Sequence, residues 1–227
     1  MHPLDRPVWN SLSSGWAALA QGDERARRLD PLHGPFGAVA DDAPDSLAAL
    51  ATLVPADGEL WMIGPDALTP PPGVSVIRTA MLAQMVAPSI IPATMPPSAW
   101  VPLDESDAAD MLDLALLTKP GPFRSHTHRL GRFIGVREEG RLVAMAGERM
   151  RLPGFTEVSG VCTHPDWRGR GLAGALMRVV AQAMLDRGET PFLHAYAAHD
   201  KTIALYRSLG FEVRAELPMM VVARPSQ

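Results

Sequence analysis

The spacing of apolar positions changes several times along the 227 residues of this chain, and each change predicts a different element. From residue 98 onward the pattern predicts a strand, a helix, a hairpin, a third strand, a helix, a strand, a helix and one or two final strands. Two apolar runs flank Glu138–Gly140 as in a β-hairpin, and Gly188 and Gly210 follow the two later helices as cap residues. This order predicts an α/β fold with a mixed sheet instead of an all-parallel one.

A proline-rich segment divides the chain. Many of the 22 prolines lie between residues 65 and 102. Proline lacks an N–H group and has a fixed φ, so such a segment opposes helix interiors and central strands. The residues before it show a weaker β-α-β pattern. We therefore predict an N-terminal α/β domain at 1–85, a proline-rich linker at 86–97 and a second domain at 98–227.

Composition and charge narrow the class of protein. With 47% hydrophobic and 20% charged residues, the chain has enough apolar surface to bury a globular core. A formal net charge of −4 argues against nucleic acid as a main partner, because that binding needs many cations against phosphates. The single cysteine, Cys162, fits a reducing compartment, and neither a leader nor an apolar run of membrane length is visible. We expect a cytoplasmic protein that does not bind membranes.

The segment from Arg168 to Gly171 predicts a site for a pyrophosphate. A strand leads into this loop and a helix follows at once, so unpaired backbone N–H groups and the positive end of the helix dipole point into one space. Gly169 lets a phosphate approach those amides, and Arg170 adds a cationic donor at the rim. The string Gly169–Gly174 also matches a dinucleotide fingerprint, but too few residues follow it for the further βαβ units of that fold.

Two segments of the C-terminal part resemble the GNAT superfamily of N-acetyltransferases. Arg168, Gly171 and Ala173 match the spacing of its acyl-CoA signature, and the sequence IALYRSLGF at Ile203–Phe211 matches a second family pattern. The resemblance covers residues 98–222 and implies the GNAT acyl-CoA N-acyltransferase fold, a mixed and mostly antiparallel sheet flanked by helices. The weaker β-α-β pattern of the N-terminal part suggests a degenerate GNAT-like half that has lost its phosphate loop.

The resemblance implies acetyl-CoA as co-substrate and assigns roles to residues of the C-terminal part. The strand through residues 161–163 would pair with the pantetheine arm, and Tyr206 matches the family tyrosine that protonates the departing thiolate. His199 stands where the family often has an asparagine that hydrogen-bonds to the pantetheine. The cofactor-binding residues expected on this basis are Val161, Cys162, Thr163, Arg168, Gly169, Arg170, Gly171, Leu172, Ala173 and His199.

Two further residues are assigned to the acceptor amine. Glu157 stands where some family members have a basic glutamate, and period-2 alternation places it on one face with Val161 and Thr163. A partly buried carboxylate with a raised pKa could take the amine proton directly or through a water. Phe123 lies in the stretch that the family lays over the acceptor site, and we expect it to line the amine pocket.

The expected chemistry is direct transfer of an acetyl group to a primary amine of a small molecule or a peptide. His126 and His128 have alternate spacing, but no third ligand lies nearby in the sequence, so we expect no metal site. A non-catalytic acyl-CoA sensor would keep the glycine loop and tolerate loss of Tyr206 and Glu157. Transfer of a longer acyl chain, or transfer to a hydroxyl, also stays open, as does assembly into a homodimer.

Overall fold

The computed structural model describes residues 2–92 and 100–225. Within these ranges, eight strands form one sheet and three strands form a second, smaller sheet. The strands are β1 (Ala20–Gly22), β2 (Ala26–Leu29), β3 (Gly37–Val39), β4 (Glu59–Ile63), β5 (Ser75–Val86), β6 (Val101–Leu103), β7 (Phe133–Glu138), β8 (Arg141–Leu152), β9 (Phe155–Thr163), β10 (Thr190–Tyr196) and β11 (Glu212–Ala223). The α-helices are α1 (Pro7–Leu12), α2 (Pro44–Leu53), α3 (Ala108–Thr118), α4 (Leu172–Asp186) and α5 (Asp200–Leu209). The order of elements predicted after residue 98 is confirmed.

The two halves of the chain repeat one arrangement of strands. Strands β7, β8 and β9 form an antiparallel meander, after which α4 leads to β10, which pairs with β9 in parallel. In the N-terminal half, β1, β2 and β3 form the same meander, and α2 leads to β4, which a parallel bridge between Phe36 and Trp61 joins to the start of β3. The N-terminal half is therefore a reduced copy of the C-terminal half, as the degenerate GNAT-like interpretation expects.

The halves also exchange strands. The large sheet has the order β4-β11-β5-β10-β9-β8-β7-β6, so β5 lies between two strands of the C-terminal half and β11 lies beside β4 of the N-terminal half. The segment β4-β11-β5-β10 reads the same when the halves are interchanged, with the antiparallel pair β5 and β11 at its centre. The boundaries predicted at 1–85, 86–97 and 98–227 stay a prediction, and positions 93–97 of the predicted linker lie outside the described residues.

Apolar side chains cover both faces of the large sheet, as adjacent residues of β10 show. Leu193 belongs to the cluster that α4 and α5 bury, whereas Phe192 belongs to the opposite cluster with Trp16 and Phe36 of the N-terminal half. Burial of such side chains contributes about 1.5–3 kcal/mol each and supplies most of the stabilisation. Because α4 packs on the sheet in this way, its first turn lies at the carboxyl end of β9.

A β-bulge in β9 corrects the predicted assignment of faces. The pairing of β9 with β8 shifts register around Gly160, which has φ 63° and would push a Cβ to 2.8 Å from the Phe133 ring. Val158 and Val161 consequently pack against the same cluster, although they are three residues apart. Glu157 and Val161 therefore lie on opposite faces, and the expectation that Glu157 shares a face with Val161 and Thr163 is wrong.

Candidate active site

The site begins where β9 and β10 separate. The two strands pair only from Phe155–Glu157 to Thr190–Phe192, after which β10 continues its pairing with β5 as far as Tyr196. Strand β9 continues to Thr163 along β8, so its other backbone edge has no strand partner among the described residues. An open edge of this kind can accept an extended ligand by backbone hydrogen bonds.

The loop that follows β9 presents backbone amides to the same opening. Gly169 and Gly171 both have φ 77°, a left-handed conformation in which a side chain would be strained. Gly171 precedes α4, and no side chain caps this helix end. The unpartnered amides of the first turn and the helix dipole therefore favour a bound anion. Arg168 extends over the loop, with its Nε 3.4 Å from the carbonyl oxygen of Thr163.

A cleft of about 640 Å³ joins the open edge of β9, the glycine loop and α5. Its volume lies within the range of about 300–1,000 Å³ that is usual for small-molecule sites. The structure brings together most of the predicted residues in this cleft. Those that line it are Val161, Cys162, Thr163, Arg168, Gly169, Gly171, Leu172, Ala173 and Tyr206.

Tyr206 enters the cleft from α5, which Gly210 ends with φ 105°. The ring packs at the edge of the core, with its centroid 6.3 Å from that of Phe211. Burial raises the pKa of the Tyr206 hydroxyl, so the phenol stays protonated at neutral pH and can donate a proton or a hydrogen bond. Burial likewise raises the pKa of the neighbouring Cys162 thiol to about 11, which fits a small buried side chain and not a nucleophile.

Four predicted residues, Glu157 among them, lie outside the lining of the cleft. Arg170 places its guanidinium 5.9 Å from the ring centroid of Trp167. His199 precedes α5, and its ring lies 5.2 Å from that of Tyr196. Phe123 is buried edge-to-face against Phe133, with 5.8 Å between the ring centroids. Their assigned roles stay predictions that the geometry of the cleft does not support.

Glu157 differs most from its expected role. Its side chain is 1% exposed and lies outside the lining of the cleft. Burial alone would raise the pKa of this carboxyl, but the charge of Arg149 and hydrogen bonds from His194 and Arg149 outweigh it and lower the pKa to about 2. The expectation of a raised pKa is wrong, because the carboxylate is held by two partners instead of standing in an apolar pocket.

Other lining residues were not assigned individual roles from the sequence. Thr118 and Pro120 belong to the stretch that the resemblance lays over the acceptor site, and they reach the cleft from the end of α3. Arg178 lines the cleft one helical turn after Gly174, so helical spacing could have identified it. Thr163 was predicted for its backbone, and its hydroxyl oxygen is buried without a hydrogen-bond partner in the described part of the chain.

Comparisons with known proteins show which family this chain belongs to. The family model described as FR47-like protein matches residues 133–218, which include β9, the glycine loop and α5. A GNAT-family structure from Novosphingobium aromaticivorans DSM 12444 is 49% identical, covers 100% of both chains and has a TM-score of 0.92. The chain belongs to the GNAT superfamily of acetyltransferases.

Two curated relatives match parts of this chain. The N-alpha-acetyltransferase RimI of Mycobacterium tuberculosis is 37% identical over 92 residues, which are 38% of this chain and 53% of that protein. The mycothiol acetyltransferase of Corynebacterium aurimucosum is 37% identical over 65 residues, which are 28% of this chain and 21% of that protein. The chain thus spans about half the length of the first relative and about a fifth of the second.

Within residues 2–92 and 100–225, no three His, Cys, Asp or Glu side chains come close enough together to hold a metal ion. In the same ranges, no helix is both long enough and apolar enough to cross a bilayer.

Proposed function

We propose that this chain is an N-acetyltransferase that moves the acetyl group of acetyl-CoA to a primary amine of a small molecule or a peptide. One observation carries the proposal: the open edge of β9, the glycine loop and Tyr206 line a single cleft. One relative is named for an α-amine and the other for mycothiol, so both acceptor classes stay in the proposal.

The residues of the cleft suit the parts of acetyl-CoA. The loop amides and Arg168 would hold the diphosphate. No atom lies within 4 Å of the Cβ position at Gly169 or Gly171, so the space beside both glycines is open to a ligand. The free edge of β9 at Val161–Thr163 would hold the pantetheine arm by backbone hydrogen bonds. A backbone N–H on this strand would also hold the thioester oxygen and stabilise the charge that develops on it.

The reaction is then a direct acyl transfer. A neutral amine attacks the thioester carbon, so that a C–N bond forms and the C–S bond breaks. Tyr206 gives its proton to the departing thiolate, as its protonated state at neutral pH allows. The attacking nitrogen loses its extra proton to water, through which Tyr206 recovers the proton that it gave. The buried, ion-paired Glu157 takes no part in this proton transfer.

Thiol release from acetyl-CoA tests the proposal. We expect release to depend on an amine when amino acids, polyamines, aminoglycosides and peptides are tried as acceptors. Tyr206→Phe should lower kcat about 100-fold and leave the Kd of acetyl-CoA unchanged, because only proton transfer is lost. The second tyrosine offers a matched control, since Tyr196 is outside the cleft lining and Tyr196→Phe should retain kcat. Binding of acetyl-CoA without release by any amine would favour the sensor alternative.

A further inference from the structure

A line of polar side chains crosses five neighbouring strands of the large sheet, from β8 through β9, β10 and β5 to β11. It lies close to the point where β9 and β10 separate. Its inner members are buried, and its outer end reaches the first residues of the protein. We call these side chains the buried polar chain. Its members are Arg149, Glu157, His194, Gln84, Arg214 and Asp5.

Each member of the buried polar chain contacts the next. Arg149 binds Glu157 through two hydrogen bonds, with its Nε 2.7 Å from Oε2 and its Nη2 2.9 Å from Oε1. His194 Nδ1 lies 2.8 Å from Glu157 Oε1, and His194 Nε2 lies 3.1 Å from Gln84 Nε2. Arg214 Nε donates to Gln84 Oε1 at 2.7 Å, and its other end pairs with Asp5. The line is therefore continuous from β8 to the N-terminal segment.

The partners fix the direction of every hydrogen bond. The oxygen of the Gln84 amide accepts from Arg214, so its nitrogen is the donor to the carbonyl of Leu4 at 2.9 Å and to His194 Nε2. His194 Nε2 is then an acceptor, and the proton of the neutral ring is on Nδ1, where it is donated to Glu157. Two guanidinium groups and two carboxylates balance each other. Such satisfied and paired charges hold one arrangement, whereas an unpaired member would be costly.

The chain crosses from β9 to β10 at the last point where these strands are together. Glu157 is opposite Phe192 in the final pair of the parallel ladder. His194 lies two residues further along β10, directly opposite Gln84 of β5. The contact between Glu157 and His194 thus joins β9 to a strand that has already turned to its other neighbour.

We propose that the buried polar chain is a positioning device that fixes the opening between β9 and β10 for acetyl-CoA. The inference rests on the proposed function, because the opening matters only if the free edge of Val161–Thr163 holds the pantetheine. None of the six members lines the cleft in the described residues, so they are positioning residues. The N-terminal segment has a role in this device, since Leu4 and Asp5 hold its outer end.

Substitutions away from the cleft test the device. Gln84→Met keeps the side-chain volume but removes the hydrogen bonds to His194 and Arg214, and we expect the Kd and KM of acetyl-CoA to rise about tenfold with a smaller change in kcat. Asp5→Asn weakens the outer end only and should give a smaller rise of the same kind. As a matched control, Glu105→Gln removes a carboxylate bound to Arg129 and His128 outside the chain and should leave the Kd unchanged.

The outcomes separate this inference from its alternatives. If both variants keep the wild-type Kd and KM while the Tm falls, the chain stabilises the fold only and the inference is overturned. Should Gln84→Met fail to fold, Asp5→Asn at the partly exposed end still decides the question through the same Kd. Glu157→Gln adds a pH profile: a positioning residue leaves the shape of kcat/KM against pH intact, whereas loss of the acidic limb would restore Glu157 as the base. Absence of acetyl-CoA binding by the wild type would refute the proposed function instead.

Discussion

The carboxyl ends of β3 and β4 form a second crevice that corresponds to the cleft between β9 and β10, and the two differ in how the following helix begins. At α4, glycines leave the first amides free. At α2, no side chain caps the helix either, but Asp41 lies just before it and accepts hydrogen bonds from the Ala43 N–H at 3.1 Å and the Ser46 hydroxyl at 2.7 Å. A carboxylate of the chain itself therefore lies near this helix start and would repel a phosphate. The same β-α-β frame offers a nucleotide site only where the loop brings no negative charge of its own.

Charge separates the two crevices further. The N-terminal crevice, of about 260 Å³, is lined by three aspartates, Asp41, Asp42 and Asp66. Arg6 also lines it, but its guanidinium donates to the carbonyls of Val39 and Ala40 at the end of β3. In the C-terminal half, the corresponding backbone groups lie at the end of β9, on the edge that has no strand partner in the described residues. The N-terminal crevice is therefore closed to a diphosphate, and the chain should bind one acetyl-CoA.

Removing the N-terminal half should have the largest effect. A fragment of residues 95–227 lacks β4 and β5. It therefore loses the strand that lies between β10 and β11, which is β5, and the strand on the other side of β11, which is β4. We expect this fragment to aggregate, because it exposes open strand edges and the apolar side chains that faced β5. Size-exclusion chromatography and circular dichroism measure the outcome. Co-expression with residues 1–92 should restore a folded protein, and a monodisperse, fully active fragment would contradict the shared sheet.

The buried carboxylate of Glu157 predicts how the free energy of unfolding depends on pH. The pKa of Glu157 is lowered from 4.5 to about 2, so its stabilisation is complete above pH 4.5 and is lost as the pH falls toward 2. Glu157→Gln should cost about 3–5 kcal/mol at pH 7, since it breaks a buried ion pair, and the difference from wild type should shrink in acid. Urea unfolding at several pH values measures this difference.

Glu105 provides the control for that measurement. Hydrogen bonds from Arg129 and then from His128 also lower the pKa of this carboxyl to about 2, but the side chain is 64% exposed. Solvent and salt screen such a surface pair, so Glu105→Gln should have a much smaller effect that added salt reduces further. Equal losses of unfolding free energy in Glu157→Gln and Glu105→Gln would show that burial does not decide how much a paired carboxylate stabilises the fold.

Local signals in the sequence were enough for the elements and for the phosphate loop. Gly169 and Gly171 were recognisable because positive φ and an uncapped helix start depend on the residues at those positions. Tyr206 was predicted from the resemblance of Ile203–Phe211 to a family pattern, which also lies within one short segment. Such features need no knowledge of distant segments, and the structure brings them to one cleft.

Features that depend on distant pairing were missed. Nothing in the local pattern of β5 shows that it inserts between β10 and β11, since strand periodicity does not specify a neighbour. The partners of Glu157 come from β8 and β10, so its lowered pKa could not be read from its own strand. Gly160 did carry a signal, because a glycine inside a strand often marks a bulge, and it would have corrected the faces of β9.

Two glycines with similar backbone angles, one at the cleft and one away from it, separate the effect of backbone strain from the effect on ligand binding. Gly171 at the cleft has φ 77° and Gly154 in the turn between β8 and β9 has φ 80°, and neither has an atom within 4 Å of its Cβ position. Alanine at either position should cost about 1–2 kcal/mol in backbone strain. Only Gly171→Ala should also weaken acetyl-CoA, by about tenfold, because strain at the loop turns its amides away. Calorimetry would contradict this if both variants kept the wild-type Kd, or if a second site bound acetyl-CoA.

The smallest effect is expected at the last residue of β9. Strand β3 ends in Val39, whereas β9 ends in Thr163, a residue that lines the cleft but whose hydroxyl oxygen is buried without a partner within the described ranges. Thr163→Val makes this position like its N-terminal counterpart and removes a hydroxyl that the cleft does not expose, so the Kd of acetyl-CoA should change by less than about threefold. The Tm should not fall, because the methyl group replaces an unsatisfied polar atom. Thr163→Ser keeps the hydroxyl and should keep the affinity. A Kd that rises about tenfold in Thr163→Val but not in Thr163→Ser would contradict this, because the hydroxyl would then have to turn into the cleft and bind acetyl-CoA. The contrast between the two strand ends would in that case include a side chain as well as backbone groups.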